Sequence, residues 1–167
     1  GATNRGITIA TYRRYIDRNG TIADLKALTT EQAVEVYRRQ YWNAVKADSL
    51  PVGVDYAVAD FAVNSGPGRA ARYLQRAVGV VQDGVIGPKT LEAVRKTHPR
   101  LLVDEICDSR MKFLQGLRHW PQFGKGWTNR VNDVRRDAMT DIDRARDPID
   151  KPIVHDDPAE QPGGFFA

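Results

Sequence analysis

Apolar residues recur at helical spacing along nearly the whole chain, and the alternation that is typical of strands is almost absent. Thr8 is a candidate N-cap for a first helix that runs to about Ile16, and Thr29 followed by Gln32 has the pattern of a capping box. Pro51 suits the first turn of a densely apolar helix. Further helices are predicted over 70–78, 100–117 and 127–144. The pattern therefore predicts an all-α fold.

The positive charge is concentrated in the first 140 residues. The chain holds 25 Lys and Arg against 21 Asp and Glu, but residues 141–167 hold seven acids and only three bases. The remaining body carries an excess of eight positive charges, which favours an anionic partner such as nucleic acid, acidic lipid or cell-wall polymer; ordinary solubilising charge is the alternative. The arginine pairs at 13–14, 38–39 and 135–136 are spread over separate predicted helices, so we expect no nucleic-acid partner.

The chain shows no segment that predicts a membrane span. No apolar run approaches the roughly 18 residues that a spanning helix needs, and the mean hydropathy is -0.49. From Asp147 onward Pro and Asp accumulate and the periodicity disappears, which predicts a tail or linker over 147–167. Its apolar end, Phe-Phe-Ala at 165–167, is either the start of a membrane anchor further downstream or a chain boundary.

The chain also lacks the residue clusters that hold metal ions. Its single cysteine, Cys107, lies in an apolar helical context, which favours a buried structural thiol. The three histidines, at positions 98, 119 and 155, are scattered along the sequence. We therefore predict neither a metal site nor a cofactor.

Several short motifs occur in an order that is typical of one enzyme family. The run Thr-Asn-Arg-Gly-Ile-Thr at 3–8 stands directly before the first predicted helix; Tyr41-Trp42, the segment 60–66 and the segment 126–130 follow it. Taken together, residues 1 to about 140 resemble the bacterial N-acetylmuramidases of glycoside hydrolase family 108. The resemblance implies an all-α, lysozyme-like fold with two lobes.

The same resemblance implies which residues carry the chemistry. In that family a Glu and then an Asp lie just upstream of a threonine that matches Thr3. The Glu protonates the leaving oxygen, and the Asp and the threonine hold the attacking water, which implies inversion. A hydroxyl suits this task because it both donates and accepts a hydrogen bond. On this basis Thr3 is catalytic, the N-terminal catalytic helix is absent, and we expect the chain to be inactive or nearly so.

Further residues are candidates for contact with a glycan. Asn64 either hydrogen-bonds a sugar substituent or serves a helix end, and Gly66 allows the backbone to approach the sugar. Asp60 is either a carboxylate facing the cleft or a satisfied polar residue. Either Tyr41 or its neighbour Trp42 is expected to stack on a sugar ring, and the other to lie in the core. The remaining candidates are Asn4, Trp127 and Arg130, the last of which either faces the family's catalytic Glu or lies on a basic helix surface.

A second motif suggests how the chain is divided. Gln75, Arg76 and Gly79, followed by Asp-Gly-Val-Ile-Gly-Pro at 83–88, resemble the peptidoglycan-binding helical repeats of cell-wall hydrolases. This motif serves either glycan contact or the scaffold. We predict three units: a remainder of the catalytic lobe over 1–58, a peptidoglycan-binding-like lobe over 59–146, and the tail over 147–167.

The sequence therefore predicts a peptidoglycan hydrolase of the bacterial cell envelope or periplasm. Its reaction is cleavage of the β-1,4 bond between N-acetylmuramic acid and N-acetylglucosamine, and its partner is the glycan strand. A non-catalytic peptidoglycan-binding or adaptor module of an envelope or secretion assembly is the alternative. The export route and the oligomeric state stay open.

Overall fold

The computed structural model describes residues 1–146, and in this part the predicted all-α class is confirmed. The two short strands are β1 (Thr3–Asn4) and β2 (Ile7–Thr8). The helices are α1 (Ile9–Tyr15), α2 (Ile22–Lys26), α3 (Thr30–Tyr37), α4 (Val54–Ser65), α5 (Pro67–Ala77), α6 (Pro88–Arg95), α7 (Pro99–Gln115) and α8 (Trp120–Arg146). A π-helical turn spans Arg38–Trp42 and a 3₁₀ turn spans Ala47–Ser49. The tail predicted over 147–167 lies outside the described residues.

The chain begins with a hairpin that the helical periodicity does not predict. β1 and β2 pair antiparallel, with Thr3 opposite Thr8 and Asn4 opposite Ile7. Arg5 and Gly6 form the turn with φ values of 51° and 76°, and two positive φ values in a two-residue loop are those of a type I′ turn. Strands of two residues are too short to show an alternating pattern, so the hairpin left no periodic signal.

Two apolar cores organise the described residues. The smaller one lies under the hairpin and α1 to α3; its buried residues are Ile7, Tyr12, Leu25, Leu28, Ala33 and Val36. The larger one is built around α4, which is buried on most sides and contacts α5, α7 and α8. Tyr37 packs on the smaller core and Tyr41 on the larger, and their rings stack with centroids 5.6 Å apart. The boundary predicted between 58 and 59 stays a prediction.

Two helix caps that were predicted from short sequence patterns are confirmed. Thr8 caps α1 through the amide of Thr11, and Thr29 and Gln32 form the expected capping box of α3. Pro51, in contrast, lies outside α4, which begins at Val54.

The last helix begins earlier than its glycines suggest. The sequence predicts its start at Trp127, but α8 begins at Trp120. Gly124 lies against the Trp120 indole so closely that an added Cβ would come within 2.7 Å of the ring. Close packing therefore explains this glycine inside the helix. None of the helices in residues 1–146 has both the length and the apolar character required to cross a bilayer.

Replacing Gly6 with Ala should weaken the hairpin. An L side chain at φ 76° is disfavoured by about 1–2 kcal/mol, and Gly6 has that conformation. We expect a loss of this size in the free energy of unfolding, measured by urea denaturation. Arg5→Asn is the matched control, because Asn accepts the first position of a type I′ turn, and it should change stability by less than about 0.5 kcal/mol. Equal losses in the two variants would contradict the turn assignment.

Candidate functional site

The hairpin presents Thr3 at the surface on a fixed backbone. Thr3 is exposed, whereas the side-chain amide of Asn4 donates to the carbonyl oxygens of Leu25 at 3.0 Å and Lys26 at 3.2 Å. The hydroxyl of Tyr37 donates to the Arg5 carbonyl at 3.1 Å. Asn4 thus ties the hairpin to α2, and Tyr37 ties it to α3. The backbone that carries Thr3 is therefore anchored, and Thr3 itself is exposed.

The aromatic pair at 41–42 lies in the π-helical turn between the two cores. Tyr41 is half-buried, and burial raises the pKa of its hydroxyl. The indole N–H of Trp42 donates to an Asp48 carboxylate oxygen at 2.8 Å. Both rings pack against the larger core.

Asp60 lies beneath the surface between two arginines. Its side chain is 1% exposed, and one carboxylate oxygen accepts from Arg110 Nη1 at 2.7 Å. The other oxygen accepts from Nε of Arg130 at 3.0 Å and from its Nη2. A buried carboxylate requires such partners, because an uncompensated charge in the interior is strongly destabilising. Asp60 is therefore a satisfied buried residue that orients Arg130, and it has almost no surface for a sugar to touch.

Three predicted residues meet at one pocket. The pocket has a volume of about 100 Å³ and is lined by Asn64, Ser65, Arg110, Leu114, Leu117, Trp127 and Arg130. Asn64, Trp127 and Arg130 were sequence candidates, and Gly66 lies just beyond, between α4 and α5, with φ 90°. Thr3, Asn4 and Tyr41 do not line this pocket.

Arg130 has the character of an anion-binding residue. The hydrogen bonds that Arg130 donates to Asp60 raise the pKa of Arg130, so its guanidinium stays charged. Its side chain is 53% exposed although Asp60 holds one edge of it. The sequence alternatives were an arginine on a basic helix surface or one that faces the family's catalytic Glu; among the described residues its guanidinium pairs with Asp60.

Arg110 was not among the candidates that the sequence motifs indicated. It is 2% exposed, and its ring contact is with Phe61, with the guanidinium carbon 5.4 Å from the ring centroid. One sequence signal exists: Arg110 falls at helical spacing in an apolar stripe of α7, after Ile106 and before Leu114. A charged residue in such a stripe indicates a buried partner elsewhere in the chain.

A second, shallower groove lies at the start of α8. It has a volume of about 340 Å³ and is lined by Trp120, Pro121, Gly124, Lys125, Thr128 and Asn129. Phe123 and Trp127 lie nearby with ring centroids 5.7 Å apart, and Trp120 is 6.1 Å from Trp127. This groove is open and contains none of the sequence candidates.

The motif resembling peptidoglycan-binding repeats is organised by one buried amide. The Gln75 side chain, 1% exposed, donates to Asp83 Oδ1 at 2.7 Å, to the Val85 carbonyl at 3.0 Å and to Thr90 Oγ1 at 3.2 Å. Its oxygen accepts from the Gly84 amide at 2.9 Å. The loop between α5 and α6 is therefore fixed from below, and Val81 and Val85 are left exposed.

Replacing Gln75 with Leu should loosen the loop between α5 and α6 and raise the pKa of Asp83. The hydrogen bond from Gln75 is the largest cause that lowers the pKa of Asp83, so the variant should raise that pKa toward the ordinary value of an aspartate. A carboxyl whose folded pKa is lowered adds stability above its unfolded pKa, and this contribution is lost as the pH falls through the folded pKa. NMR titration of the carboxyl carbons measures the change. Asp24, whose pKa Thr21 lowers, serves as the internal control and should not move.

Within residues 1–146 no group of three or more His, Cys, Asp or Glu side chains is arranged to hold a metal ion. Cys107 is buried, and burial raises its pKa to about 11, which is the character of a structural thiol.

Comparisons with known proteins cover both parts of the chain. Residues 1–66 match the family model described as "Glycosyl hydrolase 108", and residues 69–132 match the one described as "Predicted Peptidoglycan domain". The chain is similar to a solved structure described as "Structure of Brucella abortus SagA", with 51% sequence identity and a TM-score of 0.76. The similarity covers 89% of this chain and 83% of that one. None of the curated proteins matches the chain.

Proposed function

Because the chain belongs to the glycosyl hydrolase 108 family and has an all-α, lysozyme-like fold, we propose that it is part of an N-acetylmuramidase. The family and the peptidoglycan-domain match support a peptidoglycan hydrolase or binding role. The finer assignment is hydrolysis of the β-1,4 bond between N-acetylmuramic acid and N-acetylglucosamine in the bacterial cell envelope or periplasm.

The observation that carries the proposal is the exposed Thr3 hydroxyl on its fixed hairpin. An inverting glycosidase needs an acid for the leaving oxygen and a positioned water on the opposite face of the sugar. Thr3 orients this water without adding charge, and the contacts of Asn4 and Tyr37 anchor the hairpin that carries it. Positioning of this kind is effective only on a rigid support.

None of the described residues that line the pocket is an acid. Asp60 is the acid beside the predicted cleft, but both of its oxygens are occupied by arginines and its side chain is 1% exposed. It is therefore unsuited to proton donation. Following the family resemblance, we assign the acid to a Glu, and the second water-holding group to an Asp, upstream of Gly1.

The pocket between α4, α7 and α8 is assigned to substrate binding. Asn64 and Arg130 offer hydrogen-bond donors there, and the Trp127 ring offers an apolar face of the kind that packs on sugars. Tyr41 does not line this pocket and stays a separate candidate for glycan contact. Gly66 lies just beyond the pocket and adds no side chain that would hinder the approach of a glycan.

The proposal is tested by comparing peptidoglycan hydrolysis by the 167-residue chain and by a version extended upstream. We expect the 167-residue chain to lower the turbidity of purified peptidoglycan at least about 100-fold more slowly than a version extended upstream, because it lacks the general acid. Equal rates would contradict the assignment of the acid. Absence of hydrolysis in both versions would contradict the assignment of muramidase activity.

A non-catalytic peptidoglycan-binding or adaptor module is the second candidate. The match over 69–132 and the loop fixed by Gln75 favour it. It predicts that both versions co-sediment with insoluble peptidoglycan and that neither releases soluble fragments.

A further inference from the structure

Arg110 lies in the wall of the pocket described above and brings a positive charge into the interior. Arg110 lines the pocket with its side chain 2% exposed, and its Nε–H is buried without a hydrogen-bond partner among the described residues. A buried donor that is left unsatisfied costs about 1–3 kcal/mol, and more when it is charged, so such groups are rare without a reason. Nε itself has almost no accessible surface, so an occupant of the pocket meets the charge of the Arg110 guanidinium group and not this atom.

The charges of Asp60, Arg110 and Arg130 indicate that the pocket favours an anion. Two guanidinium groups, of Arg110 and Arg130, share the single carboxylate of Asp60. One positive charge is left over, and half of Arg130 is open to the pocket side and solvent. Asn64 and Ser65 at the rim add neutral polar groups. The fork of an arginine side chain matches the oxygens of carboxylates and of phosphates.

The size and the walls of the pocket restrict what carries the anion. A cavity of about 150 Å³ holds a benzene molecule. The pocket here, at about 100 Å³, is suited to a group of acetate or propionate size. Leu114, Leu117 and Trp127 form its apolar walls, so the occupant combines a carboxylate with a short hydrocarbon stem.

We propose that this pocket is a carboxylate subsite that recognises the acidic substituents of peptidoglycan. The proposal rests on the function proposed above, because it takes the ligand from the same polymer. Two sources carry the required chemistry: the lactyl carboxylate of N-acetylmuramic acid, which is free only where no stem peptide is attached, and the carboxylates of an attached stem peptide. N-acetylglucosamine lacks the lactyl group and has no carboxylate, so the site distinguishes the two sugars of the strand.

Side-chain NMR of the 167-residue chain tests the subsite. The buried Arg110 Nε–H gives a reporter signal, followed at constant ionic strength during titration with acetate, N-acetylmuramic acid, N-acetylglucosamine or muramyl dipeptide. We expect saturable shifts with acetate and with at least one muramic acid ligand, and none with N-acetylglucosamine. A response to N-acetylmuramic acid identifies the lactyl group as the source, and a response to muramyl dipeptide alone identifies the stem peptide.

Two variants on the same helix give the matched control. Arg130→Gln should weaken carboxylate binding about tenfold or more, because it removes a charged hydrogen-bond partner. Arg136→Gln removes an exposed arginine of α8 that pairs with Asp133 and should leave binding unchanged.

No saturable shift with any carboxylate, or an equal response to N-acetylglucosamine, would overturn the subsite. A response to acetate but to neither muramic acid ligand would overturn its assignment to peptidoglycan. Failure of the muramidase proposal is a separate result. If an upstream-extended protein binds N-acetylmuramic acid but hydrolyses no peptidoglycan, the subsite is supported and the muramidase activity is contradicted.

Discussion

Replacing Asp60 with Asn should lower the free energy of unfolding by about 3–5 kcal/mol, the range found when one partner of a buried ion pair is removed. The variant leaves Arg110, 2% exposed, with its charge in the interior and no carboxylate beside it. Arg130 is 53% exposed and can turn toward water, so most of the loss comes from Arg110.

The measurement is a urea or thermal denaturation series. For a domain of this size each kcal/mol corresponds to about 2–4 °C, so the midpoint should fall by roughly 10 °C. Asp133→Asn is the control: Asp133 pairs with Arg136 at the surface of α8, and its loss should change stability by at most about 1 kcal/mol. A similar small effect in both variants would show that the buried cluster does not hold α4, α7 and α8 together.

Replacing Thr3 with Val in the upstream-extended protein should lower kcat about 100-fold, because the attacking water loses the hydroxyl that orients it. Thr3→Ser keeps a hydroxyl and should keep most of the activity. Thr3 is exposed and caps no helix, so the melting temperature should change little.

Thr8 on the paired strand supplies the contrasting control. It caps α1, and Thr8→Val should lower stability by about 1 kcal/mol while kcat stays close to that of the parent. Initial rates on purified peptidoglycan and thermal denaturation, measured on the same samples, separate the two roles. A loss of turnover in Thr8→Val equal to that in Thr3→Val would assign the effect to the fold of the hairpin and not to a hydroxyl.

Local signals in the sequence predicted local structure well. Thr29 and Gln32 specify a capping box within four residues, and the structure forms it. Features that depend on tertiary packing were not predictable in this way. Gly124 looked like a helix boundary because its reason for being Gly, the Trp120 indole, is a packing contact.

In the candidate site, too, motif residues were predictable from the sequence and tertiary contacts were not. Asn64, Trp127 and Arg130 were chosen from motifs, and the fold brings them to one pocket. Arg110, one of the two partners of Asp60, lies 50 residues away on α7, and no spacing rule connects the two positions. Arg110 was visible only as a charge within an apolar stripe, a signal that indicates a buried partner without saying which.

The most direct test of the account is the chemical identity of the sugar ends that the upstream-extended protein releases from purified peptidoglycan. The fragments are reduced with borohydride and analysed by mass spectrometry after acid hydrolysis. A muramidase produces new reducing ends at N-acetylmuramic acid, which reduction converts to muramitol, and the account predicts this product. New reducing ends at N-acetylglucosamine, non-reducing anhydro ends, or no new ends would contradict it.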